Sequence, residues 1–251
     1  MKSVFKTDCG QIREHNEDNG SVLEKDDVVL AIVVDGMGGH NAGDVASALA
    51  LATVTSRWSE FPGLSETDKA IEWLKQTIDK ANHTIFHEAS ENEAYKGMGT
   101  TLVAALCNEA QVIVANVGDS RGYLLKDHGN LEQITEDHSL VNELVKAGQL
   151  SKEDAAYHPN KNVITKAVGT EPQTECDIQQ FGWSKGDLLL LCSDGLTDMV
   201  KKDTMEHILK GTSSLEEMAD QLIKEANDAG GDDNITLTIV EHDGAGVGEK
   251  I

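Results

Sequence analysis

Cysteine is scarce in this chain, and its four residues, Cys9, Cys107, Cys176 and Cys192, stand far apart with no Cys-x-x-Cys pair. That spacing excludes a disulfide framework and a zinc knuckle, and it suits a reducing compartment. None of the four begins a Cys-x5-Arg phosphate loop, so a cysteine-dependent phosphatase is excluded as well. Proline is rarer still, at three residues, which fits a compact globule and not a disordered chain. Long apolar runs are missing: the longest, residues 28–34, falls far short of the roughly 20 residues a membrane-spanning helix needs. The opening MKSVFKTDCG has no apolar signal-peptide core, which predicts a soluble, cytoplasmic protein. The largest deficit is in positive charge: 21 Lys plus Arg against 44 Asp plus Glu leave a net charge of −23. Such a field repels nucleic acid and anionic lipid and gathers cations, so neither nucleic acid nor membrane is an expected partner.

What is present describes a folded enzyme-sized body. A length of 251 residues with 39% hydrophobic content can bury a substantial core. Residues 28–34, 101–107, 112–117 and 188–192 are short, apolar and rich in branched side chains, and read as buried strands. Asn108-Glu109-Ala110-Gln111 reads as a hairpin turn between the second and third of these. Further strands are predicted over 3–7, 122–126, 131–135 and 235–240. Apolar residues three and four apart predict helices over 69–89 and 215–229, the latter stopped by Gly230-Gly231. A small-residue helix is predicted over 44–58, and shorter pieces over 140–147 and 151–155. Strands interrupted by helices in pairs, without regular strand–helix alternation, point to an antiparallel α+β architecture with helices covering sheets. One domain over residues 1–242 and a short tail over 243–251 are expected.

The chemistry gathers where the apolar strands stop. The strand at 28–34 is followed by Asp35, that at 112–117 by Gly118-Asp119, and that at 188–192 by Ser193-Asp194. A carboxylate at the edge of a buried strand is costly unless hydrogen bonds, a salt bridge or a metal compensate it. One Asp-Gly pair is ordinary turn chemistry. Three such sites, with Gly231-Asp232-Asp233-Asn234 before the last strand and Glu17-Asp18 upstream, read as one carboxylate cluster. An all-oxygen donor set favours Mg2+ or Mn2+ over zinc. The stretch Gly36-Met37-Gly38-Gly39-His40-Asn41 approaches a dinucleotide fingerprint but lacks its third glycine, and no second parallel strand follows. Arg13, a few residues from Glu17, can hold a phosphate in its guanidinium fork. Metals, an activated water and a cationic fork together specify phosphoryl hydrolysis.

Six motifs occur in order: Arg13-x-x-Asn16-Glu17-Asp18, Val34-Asp35-Gly36-Met37-Gly38-Gly39-His40, Gly99-Thr100-Thr101, Asn116-x-Gly118-Asp119-Ser120-Arg121, Ser193-Asp194-Gly195-Leu196 and Asp233-Asn234. This series resembles the type-2C, metal-dependent serine/threonine protein phosphatases, in the form of their bacterial branch, over nearly the whole chain. The resemblance implies a four-layer α-β-β-α sandwich of two antiparallel sheets flanked by helices, with two core Mn2+ or Mg2+ ions at one end and a weaker third. It assigns Asp35, Asp194 and Asp233 to one ion, and Asp35 with the Gly36 carbonyl to the other. Glu17 and Asp18 then act through water, Asp119 shares the third ion with Asp194, and Arg13 takes the phosphate. A metal-bridging hydroxide would attack phosphorus in line, without a phosphoenzyme. Where eukaryotic members carry a general-acid histidine this chain has Met37, which leaves His40 or a metal-bound water as the candidate acid. Residues 148–172 resemble the flap beside the cleft. The implied partners of such a monomer are phosphorylated proteins, including a serine/threonine kinase and its substrates. The competing readings are a catalytically weak regulatory module of the same fold and a metal-dependent phosphodiesterase.

Overall fold

A computed structural model describes residues 1–39, 42–127, 129–155 and 157–244. Among them the strands are β1 (Lys2–Asp8), β2 (Asp18–Lys25), β3 (Val28–Met37), β4 (Gly99–Thr100), β5 (Leu102–Cys107), β6 (Gln111–Val117), β7 (Arg121–Leu125), β8 (Leu131–Gln133), β9 (Asp177–Gly182), β10 (Leu188–Cys192) and β11 (Ile235–Glu241). The helices are α1 (Ala42–Arg57), α2 (Thr67–Glu91), α3 (Leu140–Lys146), α4 (Lys152–Ala155), α5 (Asp194–Thr197), α6 (Lys202–Leu209) and α7 (Leu215–Asp228). One sheet runs β1-β11-β10-β7-β8 and the other β2-β3-β5-β6-β9, with β4 on β3. Every pairing between strands is antiparallel.

The layering follows from the two-residue period of strands whose faces are both apolar. In β3, Val28, Leu30, Ile32 and Val34 face α1 and α2, where they meet Ala46, Ala50, Leu74, Ile78 and Ile85. The alternate residues Val29, Ala31 and Val33 face the other sheet and meet Leu189 and Leu191 of β10. The remaining side of β10, Leu188, Leu190 and Cys192, packs on Met205, Ile208, Leu215, Met218 and Leu222 of α6 and α7. Each fully buried Leu or Ile in these three cores contributes about 1.5–3 kcal/mol. Three apolar interfaces make four layers, helices–sheet–sheet–helices, as expected. Among the described residues no helix is long and apolar enough to cross a membrane.

The predicted hairpin is present, with Leu102 paired to Val117 and Cys107 to Val112. The long helices run over their predicted stripes, and α7 opens with a capping box of Ser214 and Glu217. One correction bears on the site. Asp35 does not follow β3 but lies inside it, because the strand runs on through Met37 to pair with β4. Asp119 stands just past the β5–β6 hairpin, in the 118–120 turn that carries the chain from β6 in one sheet to β7 in the other. The strands β2 and β9 and the helix α6 were not among the predicted elements. Both strands are edges of the second sheet and bury little, whereas α6 is too short for its apolar stripe to stand out.

Candidate active site

The antiparallel register brings the predicted carboxylates to one end of the sandwich. In the first sheet Asp8 pairs with Ile235 and Cys192 pairs with both Leu237 and Arg121, so the Asp194 and Asp233 ends of β10 and β11 coincide. In the second, Asp18 lies directly opposite Asp35. Like charges facing across a ladder are destabilising, so this register carries a cost that stability alone does not explain.

Two close approaches let these ends meet. A Cβ at Gly36 would fall 2.0 Å from the Gly43 carbonyl oxygen, so the start of α1 lies on β3 only because Gly36 is bare. A Cβ at Gly195 would fall 2.0 Å from the Asn234 carbonyl oxygen, which lets α5 bring Asp194 up against Asp233.

Electrostatics record the crowding. Asp18 is buried, accepts a hydrogen bond from Ser193 Oγ at 2.7 Å, and is pushed by burial up to about 8. Burial first, then the Asp18, Asp194, Asp119 and Asp233 carboxylates, hold Asp35 well above the usual range. Burial and Asp194 push Asp119 up to about 7. Burial, Asp198 and Asp233 push Asp194 to about 6, against a hydrogen bond with Asp35. Glu17, at the rim, is raised by partial burial against the pull of Arg13. Oδ1 of Asp119 is buried without a hydrogen-bond partner in the protein. Carboxylates that crowd one another and orphan an oxygen are the donor set a hard cation compensates, so the residues fit divalent ions.

The side chains are not drawn into a finished ligand cage. Among the described residues, no three acidic, histidine or cysteine groups stand close enough together to hold an ion. Instead Arg13 Nη2 takes Asp233 Oδ2 at 2.7 Å, with Nε 3.4 Å from the Asp232 carbonyl oxygen, and Ser193 takes Asp18. Both members of the Arg13–Asp233 pair are more than a third exposed, so the contact is a weak, exchangeable one. His40 lies outside the described residues.

Several residues that the sequence reading gave no role hold this end together. The Asn234 side chain donates to the Cys9 and His15 carbonyls, both at 2.9 Å, and accepts from the Glu17 N–H at 2.8 Å. It thereby closes the loop that carries Arg13. Thr101 Oγ1 accepts from the Asp35 N–H at 3.0 Å and shares a hydrogen bond of 2.7 Å with Ser120, linking β3 to the Asp119 turn. Arg121 forks onto Asp137, with Nη2 2.6 Å from Oδ2, and its charge lowers both Asp119 and Asp194. The signal was available: each of Asn234, Ser193, Thr101 and Arg121 sits inside a motif beside a site aspartate.

A polar groove of about 570 Å³ opens from Asp119 and Asp194 towards α3, α4 and Lys161. Lys161 Nζ lies 2.6 Å from Asp198, bringing the 148–172 segment onto α5. A larger cavity, about 1070 Å³, lies at the opposite end of the first sheet around Lys2, Leu125, Leu188 and Glu241, away from Asp18, Asp35, Asp119, Asp194 and Asp233.

Comparison with known proteins gives consistent matches. Residues 10–231 match the family described as protein phosphatase 2C. The chain is 51% identical over 244 residues to the serine/threonine phosphatase stp of Listeria monocytogenes, covering 97% of this chain and 96% of that one. The solved serine/threonine phosphatase of S. agalactiae superposes with a TM-score of 0.89 at 40% identity, over 95% of this chain and 98% of that one. The serine/threonine phosphatase Stp1 of Staphylococcus aureus gives a TM-score of 0.89 at 42% identity, over 96% and 94%.

Proposed function

This chain belongs to the protein phosphatase 2C family and is a serine/threonine phosphatase of that type, and we propose that its carboxylate end is a divalent-metal phosphohydrolase site. The observation that carries the reading is the convergence of Asp18, Asp35, Asp119 and Asp194, all raised by burial, with Asp233 at the meeting ends of the two sheets. Asp35, Asp194 and Asp233 hold one ion in this reading, and Asp35 with the Gly36 carbonyl holds a second. Glu17 and Asp18 back that pair, and Asp119 with Asp194 holds a weaker third. When bound, Mn2+ or Mg2+ supplies a water of lowered pKa and charge compensation for in-line displacement at phosphorus, so no phosphoenzyme forms.

The protein's own groups do the rest. Arg13, on a loop fastened by Asn234, leaves Asp233 to take two oxygens of the incoming phosphoryl group in its planar fork. Ser193 keeps Asp18 oriented. Among the described residues the exposed large apolar side chains are Ile12 beside Arg13 and Tyr157 and Val163 in the 148–172 segment, which suits contact with a protein substrate. That segment acts as the flap along the groove. The substrates are phosphorylated proteins, a serine/threonine kinase and its targets among them, met by a cytoplasmic monomer whose four free thiols fit a reducing compartment.

Hydrolysis of a phosphothreonine peptide should require added Mn2+ or Mg2+ and disappear in EDTA. Full turnover after exhaustive chelation, with metal content checked by elemental analysis, would overturn the metal reading.

A further inference from the structure

The chemistry above makes no use of the imidazole of His138, a buried residue between β8 and α3. Its Nδ1 accepts from the Gly118 N–H at 3.0 Å, and the backbone N–H of His138 donates to the Gly118 carbonyl at 3.0 Å. A backbone N–H can only donate, so Nδ1 carries the lone pair and the ring proton resides on Nε2. Nε2 faces the Asp177 carboxylate at 3.3 Å, an ion-pair distance without hydrogen-bond geometry. One residue therefore grips Gly118 by both of its backbone polar groups. Asn116 steadies the same turn, its Nδ2 lying 3.3 Å from the Gly118 carbonyl and 3.0 Å from that of Glu136. Gly118 has a φ of 104°, a left-handed conformation, and the next residue is Asp119 with its orphaned Oδ1. The carbonyl of His138 also accepts from the Thr165 N–H at 2.8 Å, which ties this turn to the base of the 148–172 segment.

We propose that His138 is a positioning residue: as the neutral Nε2–H tautomer it clamps Gly118 and so sets the direction in which the Asp119 carboxylate leaves the turn. The part of this inference that concerns metal rests on the reading that Asp119 helps to hold the weaker third ion. A side chain that merely filled space would tolerate either amide replacement, whereas a clamp discriminates between them. Asparagine puts its amide oxygen where Nδ1 stands; glutamine carries the same group one methylene further, near Nε2.

Three measurements on the full chain test this. In EDTA, hydrogen exchange at the Gly118 amide should stay slow in wild type and His138→Asn, and should quicken about tenfold in His138→Gln, the scale of one lost buried hydrogen bond. Equal protection in the two variants overturns the clamp. Nitrogen-15 spectra of the wild-type imidazole decide the same point without any variant: the Nε2–H tautomer is expected at neutral pH, and an Nδ1–H ring or an imidazolium overturns it. Calorimetric Mn2+ titration should then show the weakest binding step loosened about three- to tenfold in His138→Gln alone. If Gly118 protection splits as expected and Mn2+ binding does not, the clamp stands and the third-ion role of Asp119 falls.

Discussion

Arg13 and Asp35 stand in the same cleft, yet their surroundings assign them different work. Arg13 is partly exposed and joined to Asp233 at 2.7 Å, a contact weak enough to be exchanged for the phosphate in the proposed site. It would grip phosphate in ground and transition states alike, so Arg13→Ala should mainly raise KM. The loss in kcat/KM should be near 30-fold, about 2 kcal/mol for a charge-assisted hydrogen bond. Asp35 is fixed in the middle of the cluster by its strand register and by Thr101, and in the proposed site it would be the side chain shared by both core ions. Asp35→Asn should therefore remove most of kcat while leaving the fold intact. Steady-state kinetics on the two variants at saturating Mn2+ checks the division of roles, which fails if Arg13→Ala lowers kcat as far as Asp35→Asn. Arg13 itself was legible as a cation near carboxylates. Its engagement with Asp233, 220 positions away in the chain, was not.

Elements matter here by how their ends are finished. The capping box of α7 satisfies orphan N–H groups at the helix start with Ser214 and Glu217, at the end of the molecule away from the carboxylates. Ser214→Ala should cost about 1 kcal/mol. That lowers Tm by about 2–4 °C in a chain of this size, with kcat unchanged. The start of α5 is different, because Gly195 is where the element touches the site. A methyl group there meets the Asn234 carbonyl at 2.0 Å, which is backbone and cannot swing aside. Gly195→Ala should shift Asp194 away from Asp233, weakening both Mn2+ affinity and turnover by more than its effect on Tm accounts for. Thermal melts alongside Mn2+-dependent rates distinguish the two cases, and equal functional loss in both variants would contradict the argument. The long elements were readable because their apolar period repeats several times, whereas β2 and β9 escaped because edge strands bury too little to show a period.

The whole molecule carries a charge conflict, net −23 with Asp18, Asp35, Asp119 and Asp194 crowded together at one end. Asp18, Asp119 and Asp194 sit at about 8, 7 and 6 in the folded chain, against 3.8 when unfolded. Between those limits the folded state binds more protons than the unfolded one, so stability falls as pH rises. The contribution is fully present below the unfolded value and lost as pH climbs through the folded ones. In EDTA, Tm should therefore decline from pH 5 to pH 8, and Asp18→Asn should flatten part of that slope. Mn2+ competes with the protons for the same oxygens, so it should stabilise most at pH 8 and least at pH 5. Differential scanning calorimetry across that range, with and without metal, checks both signs; a flat profile in EDTA would remove the burial argument.

The sequence by itself determined the layers and the chemistry. Two-faced apolar strands such as 28–34 and 188–192 can be satisfied only between two other layers, and aspartates set against them need compensation by hydrogen bonds, a salt bridge or a metal. Both are local facts, written in a few consecutive residues. Tertiary structure alone decided which ends meet. Asp18 faces Asp35 because of a strand register, Asp194 reaches Asp233 because Gly195 is bare, and Asn234 fastens the Arg13 loop from more than 200 positions away. The side chain of Asn234 looks in sequence like any loop amide. Its hydrogen bonds to the Cys9 and His15 carbonyls and from the Glu17 N–H exist only after β11 has docked beside β1, since long-range pairing, not local pattern, brings those backbone groups within reach.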